Sequence, residues 1–159
     1  MRRRGSEVHP AAAAALVRRA AACCCALLLG ASGCAPGINW RLDPYDRVQA
    51  DAARDGKLTF VYFREWADPD CTEFEEFVLK DPAVRKATTA LYCVPLSYHW
   101  DQPLAEKLGV SDVPAVAVLD TDGRVLMRLS GKISKDLLLQ ELARVQRRPP
   151  ASQTAPGTG

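Results

Sequence analysis

Leu58-Thr59-Phe60-Val61-Tyr62-Phe63, followed by Arg64-Glu65-Trp66-Ala67-Asp68-Pro69-Asp70-Cys71, is the stretch on which the fold turns. Its first six residues are aromatic, β-branched or aliphatic, the composition of a strand buried on both faces. The polar turn over 64–70 leads into a run in which Phe74, Phe77 and Val78 recur at helical spacing. A helix is therefore predicted over 71–79 with those three side chains inward.

A strand buried on both faces needs cover on each, and the flanking sequence supplies it. Upstream, Asp43-Pro44 offers an N-cap and a first-turn proline to a helix carrying Tyr45, Val48 and Ala52, ended by Asp55-Gly56. Downstream come an apolar strand over 90–96, a short helix over 104–108 ended by Gly109, and Val113-Pro114 before a strand over 115–119. Asp120-Thr121-Asp122-Gly123 is a turn signal into a strand over 124–129, which makes a hairpin. Ser134 caps a last helix through about residue 145, with Leu137, Leu138, Leu142 and Val145 as its apolar stripe. No internal repeat is visible. Strands separated by helices demand crossovers and parallel pairing, while the closing hairpin adds an antiparallel pair. The expected fold class is α/β, a central mixed sheet with flanking helices.

Composition divides the chain more sharply than its averages suggest. Of 159 residues with net charge +2, the first 33 hold five arginines and one acid, so the remainder is mildly acidic. That balance, without a basic patch interleaved with aromatics, gives no reason to expect nucleic acid. Residues 20–33 are uncharged and rich in Ala, Cys and Leu. Fourteen such residues after Arg18-Arg19 describe an export signal and fall short of the roughly 20 a spanning helix needs. The chain is thus divided into an export signal over 1–33, a tether over 34–42, a domain over 43–146 and a tail over 147–159 rich in Pro, Gly, Ser and Thr.

Leu29-Gly30-Ala31-Ser32-Gly33-Cys34 resembles a bacterial lipobox, with Ala31 where that family most often has Leu. The resemblance implies a lipoprotein acylated on Cys34, its domain extracytoplasmic on a membrane of the cell envelope; a plain export signal cut nearby is the alternative. Several acyl chains anchor stably where one is marginal.

The domain resembles the thioredoxin superfamily, nearest to thioredoxin-like lipoproteins and the periplasmic domain of thiol:disulfide interchange proteins. Three matches in order carry this. Phe60 to Trp66 looks like the strand ending in the active-site tryptophan. Cys71-Thr72-Glu73-Phe74-Glu75-Glu76-Phe77 with Asp81-Pro82-Ala83-Val84 looks like the following helix and turn. Leu104 to Pro114, then Ala115 to Gly123, looks like the segment holding the superfamily's cis-proline. The resemblance implies a three-layer thioredoxin-like fold and places the cis bond at Val113-Pro114, which the residues alone do not decide.

The catalytic motif is degenerate. Redox-active members carry Trp-Cys-x-x-Cys. If Cys71 holds the second position here, Asp68 holds the attacking one, with one extra residue after Trp66. A carboxylate cannot attack a disulfide, and the buried acid of active members falls on Val61 or Tyr62. Cys71, the one candidate catalytic residue, gains thiolate character from a helix N-terminus. Asp68, Asp70, Glu73, Glu75 and Glu76 crowd the same turn and are expected to win, favouring the neutral thiol. Cys93 reads as core packing rather than as Cys71's disulfide partner.

By resemblance, Trp66, Asp68, Val113, Pro114, Tyr98, His99 and Trp100 frame a groove for extended peptide. The alternative for Tyr98 and Trp100 is plain cover of the sheet edge. A metal centre from His99, Asp68, Asp70 and Cys71 lacks the cysteine pair of copper-handling relatives, and neither metal nor cofactor is expected. Three functions follow as expectations: an envelope module that binds a protein or peptide without dithiol exchange, a thiol-disulfide oxidoreductase using Cys71 as a single thiol, or an anchor whose tail from Pro149 reaches a partner.

Overall fold

The computed structural model describes residues 37–147; the expected export signal, Cys34 and the tail beyond Arg147 lie outside the described residues. In chain order the elements are α1 (Tyr45–Arg54), β1 (Thr59–Arg64), α2 (Pro69–Phe74) continued by one π-helical turn (Glu75–Leu79), α3 (Pro82–Thr88), β2 (Tyr92–Ser97), α4 (Gln102–Lys107), β3 (Ala115–Leu119), β4 (Val125–Ser130) and α5 (Lys135–Gln146).

Every residue of β1 from Thr59 to Phe63 is buried. The pleat sends Phe60 and Tyr62 to one side of the sheet and Val61 and Phe63 to the other, and each pair enters a separate core. The first core takes Phe74, Val78, Val84, Leu138 and Leu142 from α2, the π turn, α3 and α5. The second takes Val48 and Ala52 from α1, Ala105 from α4, and Leu108. Helices, sheet and helices make three layers. The strand order is β2-β1-β3-β4, with β1 parallel to β2 and antiparallel to β3, and β3 antiparallel to β4. This is the mixed sheet the element order predicts.

Several local expectations differ. Residues 38–42, expected as a tether, lie on the domain: Trp40 bridges Cys93 in parallel, and the Arg41 N–H donates to the Cys93 carbonyl at 2.7 Å. The Trp40 ring stands 6.3 Å from Phe60 and 6.0 Å from Tyr62, so an aromatic side chain docks a segment that otherwise reads as linker. Asp43 makes no cap; Pro44 occupies that position, and Asp43 pairs with Arg47 at 3.5 Å instead. The Asp81-Pro82 segment, expected as a turn, starts helix α3, with Asp81 accepting from the Ala83 N–H at 2.8 Å.

Phe77 is the clearest departure, at 74% exposed rather than inward. A regular α-helix would group it with Phe74 and Val78. The π turn, closed by the Lys80 N–H on the Glu75 carbonyl at 3.1 Å, is wider and carries Phe77 off that face. On α5, Ser134 caps as expected, but Leu137 is half out of the core while Leu138 is fully buried. Adjacent leucines thus give a direct check of the helix face. Leu138→Ala is expected to cost about 2–5 kcal/mol in urea unfolding, and Leu137→Ala about 0.5 kcal/mol or less.

Candidate functional site

Three segments meet where β1 ends. Arg64 pairs with Ser97 at the end of β2, and Phe63 pairs with Ala115 at the start of β3, immediately after the cis Val113-Pro114 bond. Carboxyl ends of strands in open α/β sheets are where sites are built. The chain leaves β1 here through a tight turn in which Ala67 takes φ +61°, a left-handed conformation unusual for a residue with a Cβ.

Asp68 then begins α2. Its Oδ1 accepts from the Cys71 N–H at 2.7 Å, its carbonyl accepts from Thr72 Oγ1 at 3.0 Å, and Pro69 follows in the first turn. A proline there loses no hydrogen bond, and a carboxylate suits the positive end of a helix. Asp68, the residue that the resemblance sets at the attacking position, is therefore engaged as an N-cap.

Cys71 is fully buried. Its Sγ accepts from the Glu65 N–H at 3.4 Å. Burial pushes the thiol up to about 11; the Glu65 N–H opposes this, and the Asp68 carboxylate adds to it. The sequence predicts a neutral thiol on account of the surrounding acids, but loss of water is the larger cause. Cys93 lies opposite Phe60 near the start of β2, also buried and pushed up to about 12. The register puts it about 13 Å down the sheet from Arg64, and both cysteines are free.

The expected groove residues divide between two hollows flanking this turn. Trp66 and Trp100, 83% and 82% exposed, line one of about 450 Å³ with Arg64, Pro95, Leu96 and Ser97. Pro114 lines the other, of about 280 Å³, with Asp70, Glu73, Phe74, Phe77 and Lys132 among its neighbours. Asp68 lines neither. Tyr98 and Val113 pack against the second core, so Tyr98 covers the sheet while Trp100 stays free. His99 meets Trp100 edge-on at 5.0 Å.

Sequence reasoning misses the polar group beside the tryptophans. Arg64 Nε lies 3.1 Å from Glu75 Oε1, and the Tyr62 hydroxyl donates to the same oxygen at 3.1 Å. Burial, then the Glu75 charge, raise the Tyr62 hydroxyl well above its ordinary range. The Arg64 guanidinium also stands 5.8 Å from the Trp66 ring. No spacing signals this set, because it depends on how the strand and the π turn face each other. Among the described residues no group of three His, Cys, Asp or Glu side chains is placed to hold a metal ion.

The family model of the thioredoxin-like domain matches residues 45–146. The chain belongs to that family. Among solved structures, a thioredoxin from Thermus thermophilus is 26% identical, with TM-score 0.61, covering 70% of this chain and 89% of its own. A disulphide isomerase from Xylella fastidiosa Temecula1 is 19% identical, with TM-score 0.54, covering 69% of this chain and 99% of its own. The C-terminal domain of Neisseria meningitidis DsbD in its reduced form is 19% identical, with TM-score 0.52, covering 62% and 91%. The last two show likeness of fold alone. No curated protein matches.

Two predictions follow for this thioredoxin-like domain. Asp68→Ala is expected to lose about 1 kcal/mol in chemical unfolding, and Asp68→Asn to keep most of it, since Asn caps as well as Asp. Cys71 holds its proton more tightly folded than unfolded, so its contribution to stability is full below about pH 9 and is lost as pH rises through about 11. Native Cys71 should resist iodoacetamide at pH 8 and react on denaturation, and Cys71→Ala should flatten the decline in stability between pH 9 and 11.

Proposed function

We propose that this thioredoxin-like protein is held at a membrane of the bacterial cell envelope through acylated Cys34 and binds a protein or extended peptide without dithiol exchange. The observation that carries this is Asp68: it stands where active relatives have the attacking thiol, and its carboxylate is committed to the Cys71 N–H at 2.7 Å. Dithiol chemistry needs an accessible thiolate with a second thiol to resolve the mixed disulfide. Cys71 is buried with its thiol pushed up to about 11, which also disfavours exchange by that residue alone. What the turn does offer is contact area. Two exposed tryptophans beside an arginine, and a cis-proline with exposed Phe77 on the other flank, suit apolar side chains of an extended segment.

The test is turbidimetric reduction of insulin by the purified protein with dithiothreitol. The expected rate is that of dithiothreitol alone, unchanged by Cys71→Ser. Reduction above that background, abolished by Cys71→Ser, overturns the reading. Metabolic labelling with palmitate, lost in Cys34→Ser, checks the anchor.

A further inference from the structure

An extended segment laid beside a cis-proline can be held by main-chain hydrogen bonds, by side chains, or by both. Here the main chain has little left to offer. Pro114 has no N–H, its carbonyl accepts from the Gly131 N–H at 2.9 Å, and the Val113 N–H donates to Asp112 Oδ1 at 2.9 Å. Side chains must therefore decide what binds. The hollow of about 280 Å³ beside Pro114 is apolar through Phe74, Phe77, Val78 and Ile133, and Phe77 is 74% exposed at it.

The charges around that apolar surface are unequal. Asp70 and Glu73 line the hollow, both exposed, and among the described residues neither has a hydrogen-bond or ion-pair partner. Asp112 adds a third carboxylate, its Oδ2 lying 3.6 Å from where a Cβ on Gly131 would stand. Lys132 is the one cation in the lining.

The opposite flank carries a separate observation of the same sign. Arg64 is matched by Glu75, and its guanidinium stands 5.8 Å from the Trp66 ring. Trp100 is 82% exposed, and among the described residues no Lys or Arg stands over its ring. An indole face is the aromatic surface that best attracts a cation.

We propose that the segment bound at this turn is cationic, an extended stretch of a partner protein with Lys or Arg beside apolar residues. Its apolar side chain packs on Phe77, one cationic side chain faces Asp70, Glu73 and Asp112, and another covers the Trp100 ring. This rests on the turn being a peptide-binding surface and adds the charge of what it binds. An acidic segment meets three carboxylates and is rejected by repulsion.

The test uses three fluorescein-labelled nine-residue peptides with the same apolar residues, whose remaining positions carry Lys, Gln or Glu. Binding to the purified protein is followed by fluorescence anisotropy. The Lys peptide is expected to bind at least fivefold more tightly than the Gln peptide, and the Glu peptide more weakly than either. High salt should shrink that preference, because the carboxylates are exposed. Asp70→Asn with Glu73→Gln, exposed changes that leave the circular dichroism unaltered, should at least halve it, and Phe77→Ser should weaken the Lys and Gln peptides alike. Equal binding of the three peptides, tightest binding of the Glu peptide, or a Lys preference that survives Asp70→Asn with Glu73→Gln overturns the charge assignment and leaves the peptide-binding surface standing. Saturable binding of none of them overturns both.

Discussion

Burial of β1 on both faces constrains everything around it. A strand has a side-chain period of two, so five consecutive buried residues must fill two different cores at once. Phe60 and Tyr62 anchor the side covered by α2, the π turn, α3 and α5, while Val61 and Phe63 anchor the side covered by α1 and α4. A slip of one residue sends Val61 and Phe63 into the first core and Phe60 and Tyr62 into the second, so the volume to be filled changes on both sides at once. Because β1 also pairs along both edges, its register with β2 and β3 fixes where Arg64, Ser97 and Pro114 come together. The site's position is thus a consequence of core packing, settled before any residue of the turn is considered.

The turn beyond β1 puts one feature, the positive end of a helix, to a particular use. Unpaired N–H groups there stabilise an anion, whether a thiolate or a carboxylate. Asp68 takes that place and satisfies the Cys71 N–H. Cys71, one turn in, is left facing the interior, where loss of water outweighs the single N–H from Glu65 in setting its protonation. The Asp68 carboxylate that secures the helix start adds to that burial in favouring the neutral thiol.

Much of this was legible in the sequence because it rests on local pattern. The residues of β3, the cap at Ser134 and the mixed sheet follow from apolar runs, turn residues and element order. Asp-Pro shows both the strength and the limit of local signals. It occurs at Asp43-Pro44, Asp68-Pro69 and Asp81-Pro82; the last two cap helices, while at the first the proline itself precedes the helix and Asp43 turns to Arg47. Trp40 and Phe77 were misplaced because their positions depend on a docked segment and a π turn, neither of which has a period to detect. For Cys71 the charges are visible in the sequence but its depth is not, so the direction was readable and the larger cause was not. The Arg64–Glu75–Tyr62 group arises from how a strand meets a helix across the first core, which one-dimensional spacing does not encode.

Asp68 and Ala67 together bear on what a second cysteine in this turn would meet. Replacing Asp68 by cysteine would write a Cys-x-x-Cys spacing with Cys71, yet it would also remove the cap from α2 and leave the additional residue after Trp66 in its left-handed conformation. The new sulfur would begin at a frayed helix end, beside a partner whose own sulfur points inward. Writing the pair into the sequence takes one substitution, whereas the cap at Asp68, the left-handed Ala67 and the inward sulfur of Cys71 would all have to change with it for the two sulfurs to meet at the surface.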